Sequence, residues 1–491
     1  MKILEMAHGI IWGPWTVGIF LIVGLVLSVR CHFFQILGFK YWWKATWGSL
    51  WEHGWGHDEK AAENAGHHGI TQFQSVCTAL AATVGTGNIA GVAAAIVSGG
   101  PGAVFWMWIS ALVGMATAYG ETYLGCRYRF KDNRGKWVCG PFIYMEKGLG
   151  IPFMAVGYSF FCFLCSLGMG SMVQANSAAE TLEFTWGIPS TLGSGILALL
   201  TGAVVLGGIK RIGKAAECLL PLASGIYILF SLLVLLLCAD RIPDVFLRIF
   251  QSAFGIRQIS GGITGFSISK SLRYGISRGV FSNEAGLGTL AVLHGPAEHT
   301  TPWEQGMWAM FEVFFDTVVL CTLTALVILC TSQGDIETFS LTGAALAAAC
   351  FSARSGIVGK WFISVSMVVF AFATVIAWYY LGQQAVVYLK EKTGILHLHI
   401  LYPILFLLAV FAGGCIRLEA IWMLSDLWNG LMAFFNLTAL LFLSGEVCIP
   451  DHSDLFNTTK KNTSRQVMCF FWKKVLLKGR RADKILPARV L

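Results

Sequence analysis

Eleven segments of this chain are apolar over a length that reaches across a bilayer: about 10–29, 71–98, 101–126, 152–178, 190–209, 215–238, 264–293, 306–331, 357–382, 398–415 and 419–444. A transmembrane helix needs roughly 20 mostly apolar residues. Lipid offers no partner to a free backbone N–H or C=O, so such segments must be helices that satisfy their own backbone. Charged residues make up 13% of the 491, where soluble domains carry about 25%. With a mean hydropathy of +0.66, no soluble core could hide the apolar surface. The first segment carries Trp12 and Trp15 near its start and has no small-residue cleavage site, so it reads as a retained span rather than a signal peptide. The expectation is an all-α polytopic protein of the cell (inner) membrane, in contact with the lipid bilayer along its length.

Lys and Arg set the orientation. Arg127, Arg129, Lys131, Arg134, Lys136 and Lys147 crowd one loop, and Lys210, Arg211 and Lys214 the loop near 210. The loops at 99–100 and 179–189 carry no basic residue. An outside N-terminus and a cytoplasmic C-terminus put both basic loops inside, together with a tail that holds ten Lys/Arg and one acid between Lys460 and Arg489. Such a tail reads as an anchor to anionic lipid, not to nucleic acid. The loop after the sixth segment, with Arg241, Arg248 and Arg257, would face outward and reads as lying along the membrane surface. Most cysteines, Cys162 and Cys165 included, fall in apolar stretches and are expected as buried free thiols. His53, His57, His67 and His68 match no compact metal-ligand spacing. The sequons at Asn457 and Asn462 fall in the tail placed inside. No P-loop, nucleophile elbow or HExxH occurs, so neither ATP-driven transport nor an enzyme is indicated.

Two segments differ from the rest. The second contains Ala81-Ala-Thr-Val-Gly-Thr-Gly-Asn-Ile-Ala-Gly91, and the seventh Arg278-Gly-Val-Phe-Ser-Asn-Glu-Ala-Gly-Leu-Gly288. Each sets glycines, an asparagine and hydroxyls in the middle of a membrane stretch. Asn283 follows Asn88 by 195 residues, and at that offset residues 88–126 match 283–321 at 10 of 39 positions, with Glu121 opposite Asp316 and Cys126 opposite Cys321. Spans two to six and seven to eleven then form two five-helix units. An odd number of spans per unit makes the repeat inverted. The expected organisation is an extra helix and loop in 1–70, a first repeat in 71–240, a second with its preceding loop in 241–445, and a tail in 446–491.

Unwinding a helix at Gly85-Thr86-Gly87 frees backbone groups that lipid cannot satisfy, which is tolerable only where they line a cavity. The N-terminus of a half-helix suits a carboxylate, and freed carbonyls suit a cation or an ammonium group. Two Gly-interrupted spans in corresponding positions point to a substrate site at mid-membrane. The plainer alternative for any one glycine is close helix packing. Glu121, Glu284 and Asp316 are the carboxylates within or at the edge of spans. Glu284 follows the second broken-helix asparagine; it could carry protons, hold a gate, or accept from freed N–H groups or from Arg278. Glu121 and Asp316, nearer span ends, read as partners in loop salt bridges.

The two broken segments resemble the alanine/glycine:cation symporter family. So do Gly99-Gly-Pro-Gly-Ala-Val-Phe-Trp-Met-Trp108, Val173-Gln-Ala-Asn-Ser177 and Gly207-Gly-Ile-Lys-Arg-Ile-Gly213. The resemblance covers about residues 10–445. It implies a LeuT-like 5+5 fold with one extra N-terminal helix, two of about eleven helices being discontinuous. It implies uptake of alanine or glycine, in D or L form, driven by sodium or protons. It places the substrate at Gly85, Thr86, Gly87, Asn88, Gln174, Phe281, Ser282 and Asn283, with Trp378 walling off the side-chain pocket. By the same analogy, sodium would bind the carbonyls of Ala81 and Val84 and the hydroxyl of Thr374. The chain departs from the family pattern at Ala373, which lacks a hydroxyl, at Gln383, which replaces a carboxylate, and at Phe434-Phe-Asn436, where Pro-Asn is usual. The expected function is sodium-coupled uptake of a small neutral amino acid by a monomer working through alternating access. The alternatives are a proton-coupled or glutamine-type carrier of the same fold and, from another class, a channel.

Overall fold

The computed structural model describes residues 9, 11–50, 69–133, 135–255, 264–332, 341–394, 397–416 and 418–450. The clustered histidines, both sequons, Arg134, Arg257 and the basic tail lie outside them.

The described chain is almost wholly helical. Its main helices are α1 (Pro14–Arg30), α2 (Gln72–Thr83), α3 (Ala90–Gly99), α4 (Gly102–Tyr128), α5 (Pro152–Trp186), α6 (Ser190–Val205) and α7 (Gly208–Leu236). They continue as α8 (Ile242–Ala253), α9 (Thr264–Asn283), α10 (Thr289–His294), α11 (Pro302–Thr331), α12 (Gly343–Ser355), α13 (Ile357–Thr393), α14 (Leu398–Gly413) and α15 (Leu418–Leu443). Among the described residues six helices are long and apolar enough to cross a membrane, and the pair at 72–99, bent by 51°, makes a seventh. Three apolar helices of fewer residues, Trp15–Arg30, Ser190–Val205 and Leu398–Gly413, coincide with expected spans.

Residue chemistry explains the starts of the two site-bearing regions. Thr71 caps α2 by accepting from Gln74 N, while the Gln74 side chain accepts from Thr71 N. Thr301 and Glu304 form the same reciprocal cap on α11, satisfying donors that a helix start leaves free. Two helices run through π segments, Gly168–Val173 in α5 and Phe314–Cys321 in α11. Such bulges re-aim side chains at functional positions, and these place Gln174 and Asp316.

Two elements answer stretches that the sequence reading left without structure. The loop after the sixth segment contains α8, whose Phe246 and Phe250 pack on Trp108 and Phe105 of α4. Leu247, next to Phe246, is exposed, as an apolar residue of a helix lying in an interface would be. Helix α12 is a packed element before α13, separated from it by Gly356 at φ +62°. A small antiparallel hairpin pairs Phe130–Lys131 with Trp137–Val138. Beside it, Arg129 donates to the carbonyls of Gly295, Ala297 and Thr300 at 2.6, 2.7 and 3.1 Å, and Ile70 bridges to Ala297. The hairpin thus ties the chain before α2 to the chain after α10. Ten of the twelve described free cysteines are buried, Cys162 and Cys165 among them.

Candidate functional site

The first break lies between α2 and α3, where Val84 and Gly85 leave helical geometry and Thr86–Asn88 form a single 3-10 turn. Asn88 turns back on this opening: its Oδ1 accepts from Gly85 N at 2.9 Å. Gln174, the residue directly after the π segment of α5, accepts from Thr86 N at 3.2 Å through Oε1 and donates to Met169 O. Thr374 of α13 lies on the other side, its hydroxyl 3.4 Å from Val84 O and 3.0 Å from Phe370 O. The Thr86 hydroxyl is buried without a protein partner.

The second break runs from Glu284 to Gly288, between α9 and α10. Asn283 Oδ1 accepts from Ala285 N at 3.0 Å, so each break is closed locally by its own asparagine. Glu284, Gly286 and Gly288 take φ of +56°, +83° and +81°, a region that costs other L-residues roughly 1–2 kcal/mol. At Gly288 a Cβ would also lie 2.3 Å from Pro141 Cγ and 2.8 Å from the Tyr158 hydroxyl. Gly288→Ala is therefore expected to cost about 2–4 kcal/mol, adding the backbone strain to overpacking. A thermal-unfolding midpoint equal to that of the wild type would refute this.

The two breaks meet. A Cβ on Gly87 would lie 3.1 Å from Ser282 Cα. Asp316, from the π segment of α11, joins them. Its Oδ1 accepts from Asn88 Nδ2 at 2.6 Å, and its Oδ2 from Ser282 Oγ at 2.8 Å and Thr317 Oγ1 at 2.9 Å. Asn283 Nδ2 in turn donates to Thr317 Oγ1 at 3.1 Å. The carboxylate is fully buried, and among the described residues no Lys, Arg or His pairs with it.

Glu121 of α4 serves the second break. Its Oε2 accepts from Gly286 N and Gly288 N at 3.2 and 3.1 Å and from Asn436 Nδ2 at 2.9 Å. Asn436 also donates to Gly286 O at 2.9 Å, and Tyr144 donates to Asn436 Oδ1. This corrects the loop salt bridges expected for Glu121 and Asp316. Both are fully buried, because freed amide groups inside the membrane need acceptors more than loops need ion pairs. Each carboxylate reaches the break that precedes the other in sequence: Glu121, after the first break, holds the second, and Asp316, after the second, holds the first.

The remaining expected residues are distributed around this junction. Trp378 is fully buried and donates from Nε1 to Glu284 Oε1 at 2.7 Å, so Glu284 accepts from an indole and not from Arg278. Phe281 faces the other flank, stacked on Trp422 at 4.7 Å between ring centroids. Arg278 lies over the same indole at 4.6 Å and pairs with Asp426 at 2.7 Å. Ala81 is buried in α2, one turn from the first break. The sequence singles out neither Asp426 nor Tyr144, and it marks Asn436 only within the Phe434-Phe-Asn436 departure, without a role. All three come from distant segments.

The model of the sodium:alanine symporter family matches residues 1–468. The sodium/alanine symporter AgcS of Methanococcus maripaludis is 38% identical over 473 residues, 95% of this chain and 99% of that protein. The probable sodium/glutamine symporter GlnT of Bacillus subtilis is 33% identical over 447 residues, 90% of this chain and 88% of that protein. A solved structure of MhsT in complex with L-phenylalanine superposes with a TM-score of 0.55 at 14% identity, covering 77% of this chain and 97% of that one. That similarity shows a LeuT-like fold.

Proposed function

Because the chain belongs to the sodium:alanine symporter family, we propose that it couples sodium entry to the uptake of a small neutral amino acid, alanine or glycine, by alternating access. The observation that carries this reading is the junction of two broken helices around Asp316, where freed backbone groups, side-chain amides and a buried carboxylate converge. The substrate would sit against Gly85, Thr86, Gly87, Asn88, Ser282 and Asn283, with Gln174 at one side. Trp378, held by Glu284, would limit the side chain to a small one, and Phe281 would close the site from the Trp422 side. Sodium would bind the carbonyls of Ala81 and Val84 and the Thr374 hydroxyl, oxygen ligands that suit a hard cation. Asp316 adds a buried negative charge where the two breaks meet. In this reading the chain works as a monomer, with its N-terminus outside, its C-terminus inside and its halves forming an inverted repeat.

The driving force suffices. One cation moving down about 100 mV gains about 2.3 kcal/mol, and a tenfold ion gradient adds about 1.4 kcal/mol. Together they support accumulation on the order of a hundredfold of a zwitterion. In proteoliposomes, labelled alanine or glycine should accumulate with sodium outside and fail to do so when choline replaces it. Equal uptake in choline would sink sodium coupling. Accumulation of glutamine but of neither small amino acid would replace the substrate.

A further inference from the structure

A second buried polar cluster lies outside the junction. His294 ends α10, and both its ring nitrogens face oxygen atoms of α11. Nδ1 is 2.6 Å from Gln305 Oε1; Nε2 is 3.2 Å from Glu312 Oε2 in hydrogen-bond geometry and 3.1 Å from Oε1 as an ionic contact. All three side chains are fully buried. We propose that His294, Glu312 and Gln305 form a proton-binding site, and that its occupancy holds α10 against α11.

The hydrogen-bond inventory carries the proposal. A neutral imidazole has one N–H and one bare nitrogen, whereas imidazolium donates from both. Two acceptors facing two ring nitrogens fit imidazolium paired with carboxylate, a combination with no net charge. When the proton leaves, one N–H still serves Glu312, and the bare Nδ1 faces an oxygen. Rotation of the Gln305 amide answers this, because its Nε2 is buried without an acceptor and would then donate to Nδ1. What rotation cannot supply is a countercharge, so a lone carboxylate is left buried, which is costly. Proton release is therefore favoured by a movement that admits water to Glu312.

Among the described residues no Lys or Arg pairs with Glu312. Arg129, beside the residue that follows His294, is committed to the carbonyls of Gly295, Ala297 and Thr300. The other facing groups are thiols and acids: Cys77 and, across α2, Glu217, which accepts from Gln74 Nε2; Cys126, against His294 O; Cys139, against Val292 O; and Glu284 of the second break, near enough to Glu312 for the two carboxyls to act on each other. Ser75 of α2 donates to Leu293 O at 2.9 Å. Movement of α10 thus involves both α2 and α11.

The link to transport rests on the reading above; the proton site does not. Histidine ring nitrogens labelled with ¹⁵N, observed in proteoliposomes at about pH 7, test the site directly, with His294→Gln identifying the resonance. An exposed imidazole is mostly neutral there. His294 should show two protonated nitrogens in the wild type and one in Glu312→Gln. A single N–H in the wild type overturns the proposal, whether or not alanine is transported. The second arm is uptake between about pH 6 and pH 8, where one proton equilibrium can change a rate by up to about tenfold per pH unit. The wild-type profile should flatten to less than about a twofold change in Glu312→Gln. A profile unchanged by the substitution refutes the hold on α10.

Discussion

Asp316→Asn should abolish sodium-dependent uptake while leaving the protein folded. The substitution keeps shape and most of the hydrogen bonding. One oxygen still accepts from Asn88 Nδ2, and the new amide can donate to the Ser282 hydroxyl, which accepts as readily as it donates. The negative charge is what disappears. A hydrogen bond to a charged group is worth about 1.5–3 kcal/mol. In the proposed reading the ion loses an attraction of that size, which weakens its binding about ten- to a hundredfold. The measurement is alanine uptake against sodium concentration in proteoliposomes, beside the size-exclusion profile of the same preparation. Wild-type sodium dependence in the variant would take Asp316 out of the ion's path. A collapsed profile would make its role structural.

Glu121→Leu should behave in the opposite way and fail at folding. One carboxylate oxygen satisfies two backbone donors of the second break and the Asn436 amide. A leucine leaves three buried donors without that acceptor. Each orphaned group costs about 1–3 kcal/mol, so the sum of several kcal/mol rivals the whole stability of a typical protein. No monodisperse peak is expected on fluorescence-detected size exclusion. Glu121→Gln supplies the comparison, since its carbonyl oxygen can keep the same three bonds and only its amide, placed where Oε1 has no partner, is left unsatisfied. The glutamine variant should lose about 1–3 kcal/mol and still give a monodisperse peak. If leucine were tolerated as well, the break would not depend on this acceptor.

Legibility followed range. The spans could be read because each is a continuous apolar run whose backbone must be satisfied within itself. The breaks could be read because glycine and asparagine inside such a run contradict it. Pairing Glu121 with Asp316 at the 195-residue offset marked two related carboxylates, yet the sequence suggested the wrong partners. A loop salt bridge is the usual fate of a carboxylate near a span end. Here the freed amide groups of a neighbouring helix compete for it, and which helix is neighbouring is not a local property. The same holds for Trp378: its presence beside a site followed from resemblance, its bond to Glu284 only from the packing of α13 on the second break.

By itself the sequence determined that the chain fills a membrane with helices and that two of them open, at Gly85-Thr86-Gly87 and within Arg278–Gly288, because lipid forces every apolar run to satisfy its own backbone and exposes any run that cannot. The tertiary structure alone decided that the two openings touch at Gly87 and Ser282, that Asp316 bridges them, and that Glu121 holds the far one. A freed N–H group donates to whichever acceptor packing delivers, from any distance along the chain.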